Sequence, residues 1–380
     1  MALITHIARV FVGVLFIFSG FVKVIDPLGF SYKLSEYFVI FGMPWMDSVT
    51  VLLAIVLCLA EIALGVQLLL GFWKKATLYG LLGMIVFFTF LTWFSAYFNK
   101  VTDCGCFGDA IPLNPWQSFY KDVILLVLIV WLYWKQEYIK PILNEKWSQL
   151  IWSVVLAAHC FFAYWGLEHL PMIDFRAYAE GKSIVQGMKT AEELGLEAPV
   201  YATDFKLKHK ETGEVKTVPS TVYSDEKLWE THDFIESVGE PYKVKDGYEP
   251  PIHDFVLQAE DGTDMTNAIL STDYIFLIIA YDLKKTDIEA HEEVINPFTK
   301  ELDNAAQYYV GLTGSNFKEI EKFRHDVQAA YPYLTCDPTT LKTIVRSSPG
   351  VVLLKEGTVL AKWHHNDLPD FQEIKEKYLQ

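Results

Sequence analysis

With five cysteines in 380 residues, the chain has too few thiols for a disulfide scaffold. None recurs in the CxxC spacing of a zinc site or the CxxCH of haem attachment, so no metal is expected. The sequence also lacks a GxxxxGK[ST] loop and a GxGxxG between strand and helix, the usual cradles for phosphate. Basic excess is missing as well. The formal charge is −15, and ten Lys/Arg balance ten Asp/Glu over residues 1–170, so the whole deficit falls on residues 171–380. An acidic soluble half excludes nucleic acid, whose binding requires basic groups to displace counterions from phosphates.

The first 170 residues hold nearly all the long apolar runs. A bilayer core of about 30 Å needs roughly 20 apolar residues in helix, and five segments qualify: 3–25, 49–71, 76–98, 118–134 and 148–167. The fourth is the weakest, because Lys121 and Asp122 shorten its apolar stretch. The first is too long for a removable signal peptide and has no small-residue cleavage site, so it is read as a retained helix. Trp45, Trp73, Trp116, Trp134, Trp152 and Trp165 fall near span ends, where amphipathic rings settle at the lipid headgroups. Lys74 and Lys75, then Lys135, Lys140 and Lys146, lie in two loops on one side. The positive-inside rule makes that side cytoplasmic. The N-terminus is then cytoplasmic, and the 26–48 loop, the loop after the third span and the C-terminal half face outward. In a bacterium with two membranes this is an inner-membrane protein whose C-terminal half lies in the periplasm, where disulfides persist.

In that outward loop sits Cys104-Gly105-Cys106. Two thiols one residue apart close only a small, strained ring. Loop-closure stabilisation is smallest for the smallest rings, so the pair suits redox exchange better than stapling. A permanent disulfide tightening the turn, or two idle thiols, is the plainer reading. Lys100 favours a thiolate there, while Asp103 and Asp109 oppose it.

Beyond Leu170 the polarity rises. Thr203 to Lys210 and Val215 to Val218, around a Gly-containing turn at 211–214, predict a β-hairpin. From Pro250 the pattern is denser: a strand at 274–281, a helix at 286–308, a strand at 308–312, a helix at 315–330, a short strand at 333–335, and a hairpin from 351–354 and 358–363. Strands alternating with helices and closing in a hairpin indicate an α/β sandwich. Pro251-Ile252-His253-Asp254-Phe255, Asp261-Gly262, the 274–281 strand and Ser348-Pro349-Gly350 before the final hairpin resemble the redoxin branch of the thioredoxin superfamily. That resemblance implies a cis Pro349 and a partner-binding groove at Ser348, Pro349 and Gly350. The chain departs from the pattern after Tyr281, where Asp282-Leu283-Lys284-Lys285-Thr286 contains no cysteine, so this domain has lost the dithiol reaction. Its lone Cys336 is either an accessory thiol or a buried structural one.

In the membrane half, Arg9-Val10, the stretch Phe16 to Lys23, Asp26-Pro27, Tyr37, Glu61 to Gly65 and Cys104 to Asp109 resemble the DoxX/MauE-like family over roughly residues 5–135. The resemblance implies a four-helix membrane core associated with disulfide maturation or quinone-linked sulfur oxidation, with Arg9, Lys23, Glu61, Cys104 and Cys106 as matching positions. Its fusion to a redoxin-like domain resembles architectures common in Bacteroidota. Domains are expected at 1–147, 148–169 as a fifth span, 170–249 as an extracytoplasmic extension, and 250–380 as a degenerate thioredoxin-like domain.

Charges inside a membrane are costly, so Arg9 and Glu61, on spans running in opposite directions, are expected to pair or to face a polar cavity. They form either a structural ion pair or a proton relay. Cys58 lies three residues before Glu61 on the same helical face. Cys160, beside His159 in the fifth span, is read as packing, and His364-His365 as an ordinary solvated loop. The leading functional expectation is an inner-membrane thiol–disulfide oxidoreductase or electron-transfer subunit, with Cys104 and Cys106 exchanging with an extracytoplasmic thiol protein and electrons leaving to a membrane carrier such as quinone. The rival is a non-enzymatic envelope scaffold or accessory subunit of an export or assembly complex. In either case lipid surrounds the first half.

Overall fold

A computed structural model describes residues 1–379 except Asn99, Thr102, Asp103, Cys104 and Cys106. The chain divides into two compact units, residues 1–181 with 256–380, and residues 182–255.

The first unit begins with six helices: α1 (Ala2–Ile25), α2 (Pro27–Ile40), α3 (Thr50–Leu70), α4 (Lys74–Phe98), α5 (Pro115–Trp134) and α6 (Glu145–Glu168). All but α2 are long and apolar enough to cross a membrane, α3 together with its Pro44–Val49 lead-in. This is a multi-pass membrane protein. The outward loop expected at 26–48 is largely α2, and the reason is local. Pro27 presets the first helical turn, and the Asp26 carboxylate accepts from the Gly29 N–H at 2.9 Å. Asn114 and Asn144 cap α5 and α6 in the same way.

Helices α1 and α3 run against each other with small residues at the contact. A Cβ on Gly13 would lie 2.6 Å from Leu69 side-chain atoms, one on Gly65 2.8 Å from the Gly13 carbonyl, and one on Gly20 2.7 Å from Ile62. In lipid, helix association depends on such close packing, because tails and side chains are equally apolar. The approach sets the register that brings the end of α1 beside the middle of α3.

Residues 182–255 form a unit of their own, with a three-stranded antiparallel sheet in the order β2-β1-β3: β1 (Val200–His209), β2 (Val215–Pro219) and β3 (His232–Lys245). The expected hairpin is β1 and β2, turning through Gly213 at φ +71°. Strand β3 escaped the sequence reading because it is exposed nearly throughout and has no apolar alternation to mark it.

Residues 256–380 return to the first unit. They contain β4 (Ile275–Ile279), a continuous helical stretch ending in α7 (Asn296–Asn304), β5 (Tyr308–Thr313), α8 (Phe317–Asp326), β6 (Tyr333–Thr335), α9 (Pro338–Ile344), β7 (Gly350–Lys355), β8 (Thr358–His364) and α10 (Phe371–Tyr378). The sheet order is β6-β5-β4-β7-β8; β4, β5 and β6 run parallel, while β7 and β8 are antiparallel. A central parallel pair followed by an antiparallel hairpin is thioredoxin-like. All five residues of β4 are buried, which explains its unbroken apolar run. Phe276 and Ile278 pack on Phe298, Phe323 and Phe371 from the helices. The Ser348-Pro349 bond is cis. Helix α10 and the Pro-initiated α9 went unread in the sequence, being only one to two turns long. His364 is buried at the inward-facing end of β8, contrary to the expected solvated loop, and its ring lies 4.1 Å from that of His365.

Candidate functional site

The thioredoxin-like domain is fastened to one end of the helical bundle. Asn366 donates to the Glu168 carbonyl at 2.8 Å, and His169 meets Asp367 at 2.7 Å. At the same end Lys285 pairs with Asp47 at 3.1 Å, and the hydroxyls of Tyr32 and Tyr281 lie 3.1 Å apart. The α2 segment and the thioredoxin-like domain therefore meet at one end of the bundle.

The strongest of these contacts is Arg346, three residues before Pro349. Its Nε reaches both oxygens of Asp26 at 3.0 Å and its Nη2 reaches Asp26 at 2.9 Å. It also donates to the Lys342 carbonyl and lies over the Tyr32 ring at 5.4 Å. Burial pushes the Asp26 carboxyl up, but Arg346 and, further off, Arg176 outweigh it and hold it below its usual value. Burial likewise opposes the Arg346 charge, and Asp26 more than offsets it. Burial, then Tyr281, pushes the Tyr32 hydroxyl well up, so it stays protonated.

Cys104 and Cys106 lie outside the described residues, but their neighbours are placed. A Cβ on Gly105 would lie 3.3 Å from Lys33 of α2. Phe107 is buried against Phe18 of α1, with ring centroids 5.6 Å apart. Asp109 approaches Arg346 at 3.8 Å.

Beneath Phe107 lies a small cavity inside the bundle, of about 20 Å³, where Ser19, Lys23, Glu61, Lys121 and Asp122 meet apolar side chains such as Phe88. Lys23 meets Glu61 at 2.5 Å, both 2% exposed, and its ammonium faces the rings of Phe88 at 4.6 Å and Phe30 at 4.9 Å. Lys121 pairs with Asp122 at 2.9 Å and sits over Phe107 at 4.7 Å, while Thr92 donates to Asp122 at 3.0 Å. The expected Arg9–Glu61 pair is not formed. The Gly13–Leu69 and Gly20–Ile62 contacts put Arg9 level with the end of α3, and there its guanidinium donates to the carbonyls of Leu68, Leu69 and Lys140 at 2.8, 2.6 and 3.0 Å. Those carbonyls have no intrahelical partner, so they attract the cation. Glu61 takes Lys23 instead, and Cys58 is fully buried one turn away. In the sequence Lys121 and Asp122 read only as a weakness of the fourth span. Two adjacent charges in an apolar helix were the signal missed.

The groove residues are engaged within the domain. The Ser348 carbonyl accepts from the Asp287 N–H at 2.9 Å. The Pro349 carbonyl accepts from the Ser347 hydroxyl and lies 3.1 Å from His365 Nδ1. Gly350 pairs with Ile279 and with His364. Cys336 is buried beside β6, and Cys160 is exposed on α6. No cluster of His, Cys, Asp and Glu suited to a metal occurs among the described residues.

The chain thus joins a helical membrane module with buried ion pairs to a thioredoxin-like domain that has no cysteine after its first strand. Residues 1–135 match the family described as methylamine utilisation protein MauE, so the N-terminal module is MauE-like. The chain is 29% identical over 137 residues to Protein TlpB of Flavobacterium psychrophilum, covering 34% of this chain and 33% of that protein. It thus spans a third of that relative's length. Among solved structures it is similar to a candidate protein disulfide isomerase from Bacteroides thetaiotaomicron (18% identity, TM-score 0.27), covering 33% of this chain and 87% of that one. It is also similar to the bacterioferritin comigratory protein of Xanthomonas campestris (16% identity, TM-score 0.23), covering 32% and 86%.

Proposed function

We propose that this protein is an inner-membrane thiol–disulfide oxidoreductase or electron-transfer subunit, with its N-terminus cytoplasmic and residues 169–380 periplasmic. Cys104 and Cys106 are the exchanging pair. A client thiolate attacks their disulfide, releasing one cysteine as a thiolate and forming a mixed disulfide with the other, and the second client thiolate then displaces that bound cysteine. The client disulfide forms, Cys104 and Cys106 are left as thiols, and two electrons pass on to a membrane carrier. A quinone, when bound, supplies a two-electron, two-proton acceptor. The cavity beneath Phe107 has a free volume of about 20 Å³, room for about one water, so a quinone ring does not fit inside it and would have to meet the pair elsewhere. The observation that carries the reading is the docking of the domain's Arg346 end on Asp26 and on Asp109, which follows Cys106 by three residues in the chain.

The test is the in vivo redox state of Cys104 and Cys106, trapped by acid and alkylation, with and without respiratory quinone, beside complementation by the double serine variant. Cycling that stalls in the reduced state without quinone is expected. A fixed redox state together with full activity of the double variant overturns the reading in favour of an envelope scaffold, for which the absence of cysteine between Tyr281 and Ile288 already speaks.

A further inference from the structure

The thioredoxin-like domain meets the bundle along one edge of its sheet. Strands β4, β5 and β6 end at that edge, β7 begins there opposite Ile279, and β8 ends there opposite Gly350. Tyr281 and Lys285 follow β4, Lys342 and Arg346 lie between β6 and β7, and Asn366 follows β8. An open α/β sheet ordinarily binds its ligand just outside the carboxyl ends of its parallel strands, where the connecting loops part. In this chain the module's own residues 26–47 occupy that place. Arg346 holds Asp26 at 2.9 Å, Lys285 holds Asp47 at 3.1 Å, and the Tyr281 hydroxyl lies 3.1 Å from that of Tyr32. The Lys342 ammonium faces the Tyr32 ring at 4.7 Å and the Tyr281 ring at 5.8 Å. Residues 171–380 carry the whole acidic excess, yet Lys285, Lys342 and Arg346 bring cations to residues 26–47, where two of them meet carboxylates.

We propose that the carboxyl edge of this sheet is a binding surface whose occupant is the chain's own 26–47 segment, so that the domain is a cap docked in cis and that edge is closed to a soluble partner. The inference goes beyond the redox reading and does not rest on it. Arg346 is the contact with most to lose. It is 5% exposed, its planar fork meets both oxygens of Asp26, and truncating either partner strands the other's charge. Lys285 and Asp47 are well exposed and contribute little to holding the cap. Tyr32 and Tyr281 report on docking because they are half-buried against each other, with ring centres 6.5 Å apart. Tyr308, at the opposite edge, is 69% exposed, and Tyr333 is buried inside the domain.

The experiment compares hydroxyl-radical oxidation of these four tyrosines in the full chain in lipid nanodiscs. In wild type, Tyr32 and Tyr281 should react severalfold more slowly than Tyr308. Arg346→Met should speed both together toward the Tyr308 rate, while Tyr333 stays protected because the domain remains folded. Asp26→Asn should do the same and keep α2, since an asparagine oxygen still caps the Gly29 N–H. The double variant should go little further than either single one, because both remove the same pair. Should Arg346→Met also expose Tyr333, Asp26→Asn carries the test from outside the domain. In native membranes, photoreactive benzoylphenylalanine in place of Tyr281 should crosslink to peptides of residues 26–47 at the mass of a single chain. An adduct with a second protein in their place overturns the proposal. So do Tyr32 and Tyr281 that react as fast as Tyr308 in wild type, or that stay protected in both Arg346→Met and Asp26→Asn.

Discussion

Substituting Lys23 by Met should be among the most damaging single changes in the membrane half, and worse than substituting its partner. Lys23 and Glu61 are both 2% exposed and 2.5 Å apart. Removing one partner of a buried pair costs about 3–5 kcal/mol because the other charge is stranded, and a charge within a bilayer costs at least about 2.5–3.5 kcal/mol on insertion scales. The two stranded charges are not equivalent. In Glu61→Gln the ammonium keeps the faces of Phe88 and Phe30 at 4.6 and 4.9 Å, worth about 0.5–2 kcal/mol. The amide oxygen remains as an acceptor. In Lys23→Met the carboxylate loses its cation and gains nothing. The expected order of stability is wild type, then Glu61→Gln, then Lys23→Met, with the double variant above Lys23→Met because no charge is left. Unfolding in nanodiscs, followed by tryptophan fluorescence as SDS is added, measures all four and gives the coupling by a double-mutant cycle. A Lys23→Met protein as stable as wild type, or a double variant no better than it, would refute the reasoning.

Gly71→Ala should destabilise the end of α3. The residue ends the helix at φ +76°, and an added Cβ would lie 2.5 Å from both the Lys140 carbonyl and Arg9 Nη2. Left-handed strain of about 1–2 kcal/mol adds to the displacement of Arg9, and the same SDS titration should show an earlier midpoint. The thioredoxin-like domain should lose stability on mild acidification. Burial pushes the imidazoles of His291 and His364 down to about 4, against an ordinary value of 6.5. The unfolded chain therefore binds protons first, and the stability held fully above pH 6.5 is lost as pH falls toward 4, by on the order of 3 kcal/mol for His291 and less for His364, which water screens. Hydrogen exchange of β4 and β7 in the full chain should accelerate between pH 7 and 5 after correction for intrinsic rates. His291→Phe should flatten that response, and an unaltered pH slope would count against it.

The sequence alone determined the features that depend on local composition. Five spans were legible because roughly 20 apolar residues in a row satisfy the bilayer whatever surrounds them. The buried β4 and the 350–364 hairpin were legible because short apolar runs bounded by Gly, Pro and charge leave little alternative. The missing cysteine pair after Tyr281 needed no structure at all. Tertiary structure decided who pairs with whom. Arg9, Lys23 and Glu61 were all visible as costly charges, but only the Gly13–Leu69 and Gly20–Ile62 contacts fix which lies level with which. A shift of two helical turns separates a carbonyl cap from a carboxylate partner. Lys121 and Asp122 gained meaning only when α5 was seen to turn them toward the cavity shared with Lys23 and Glu61. Strand β3 stayed hidden because exposed strands carry no burial pattern, and α2 because its apolar face emerges only once α1 and α3 are in place. The Asp26–Arg346–Asp109 bridge is the clearest case. Its members are far apart in sequence, and such a contact depends on the folded path of the chain rather than on any local pattern a single sequence displays.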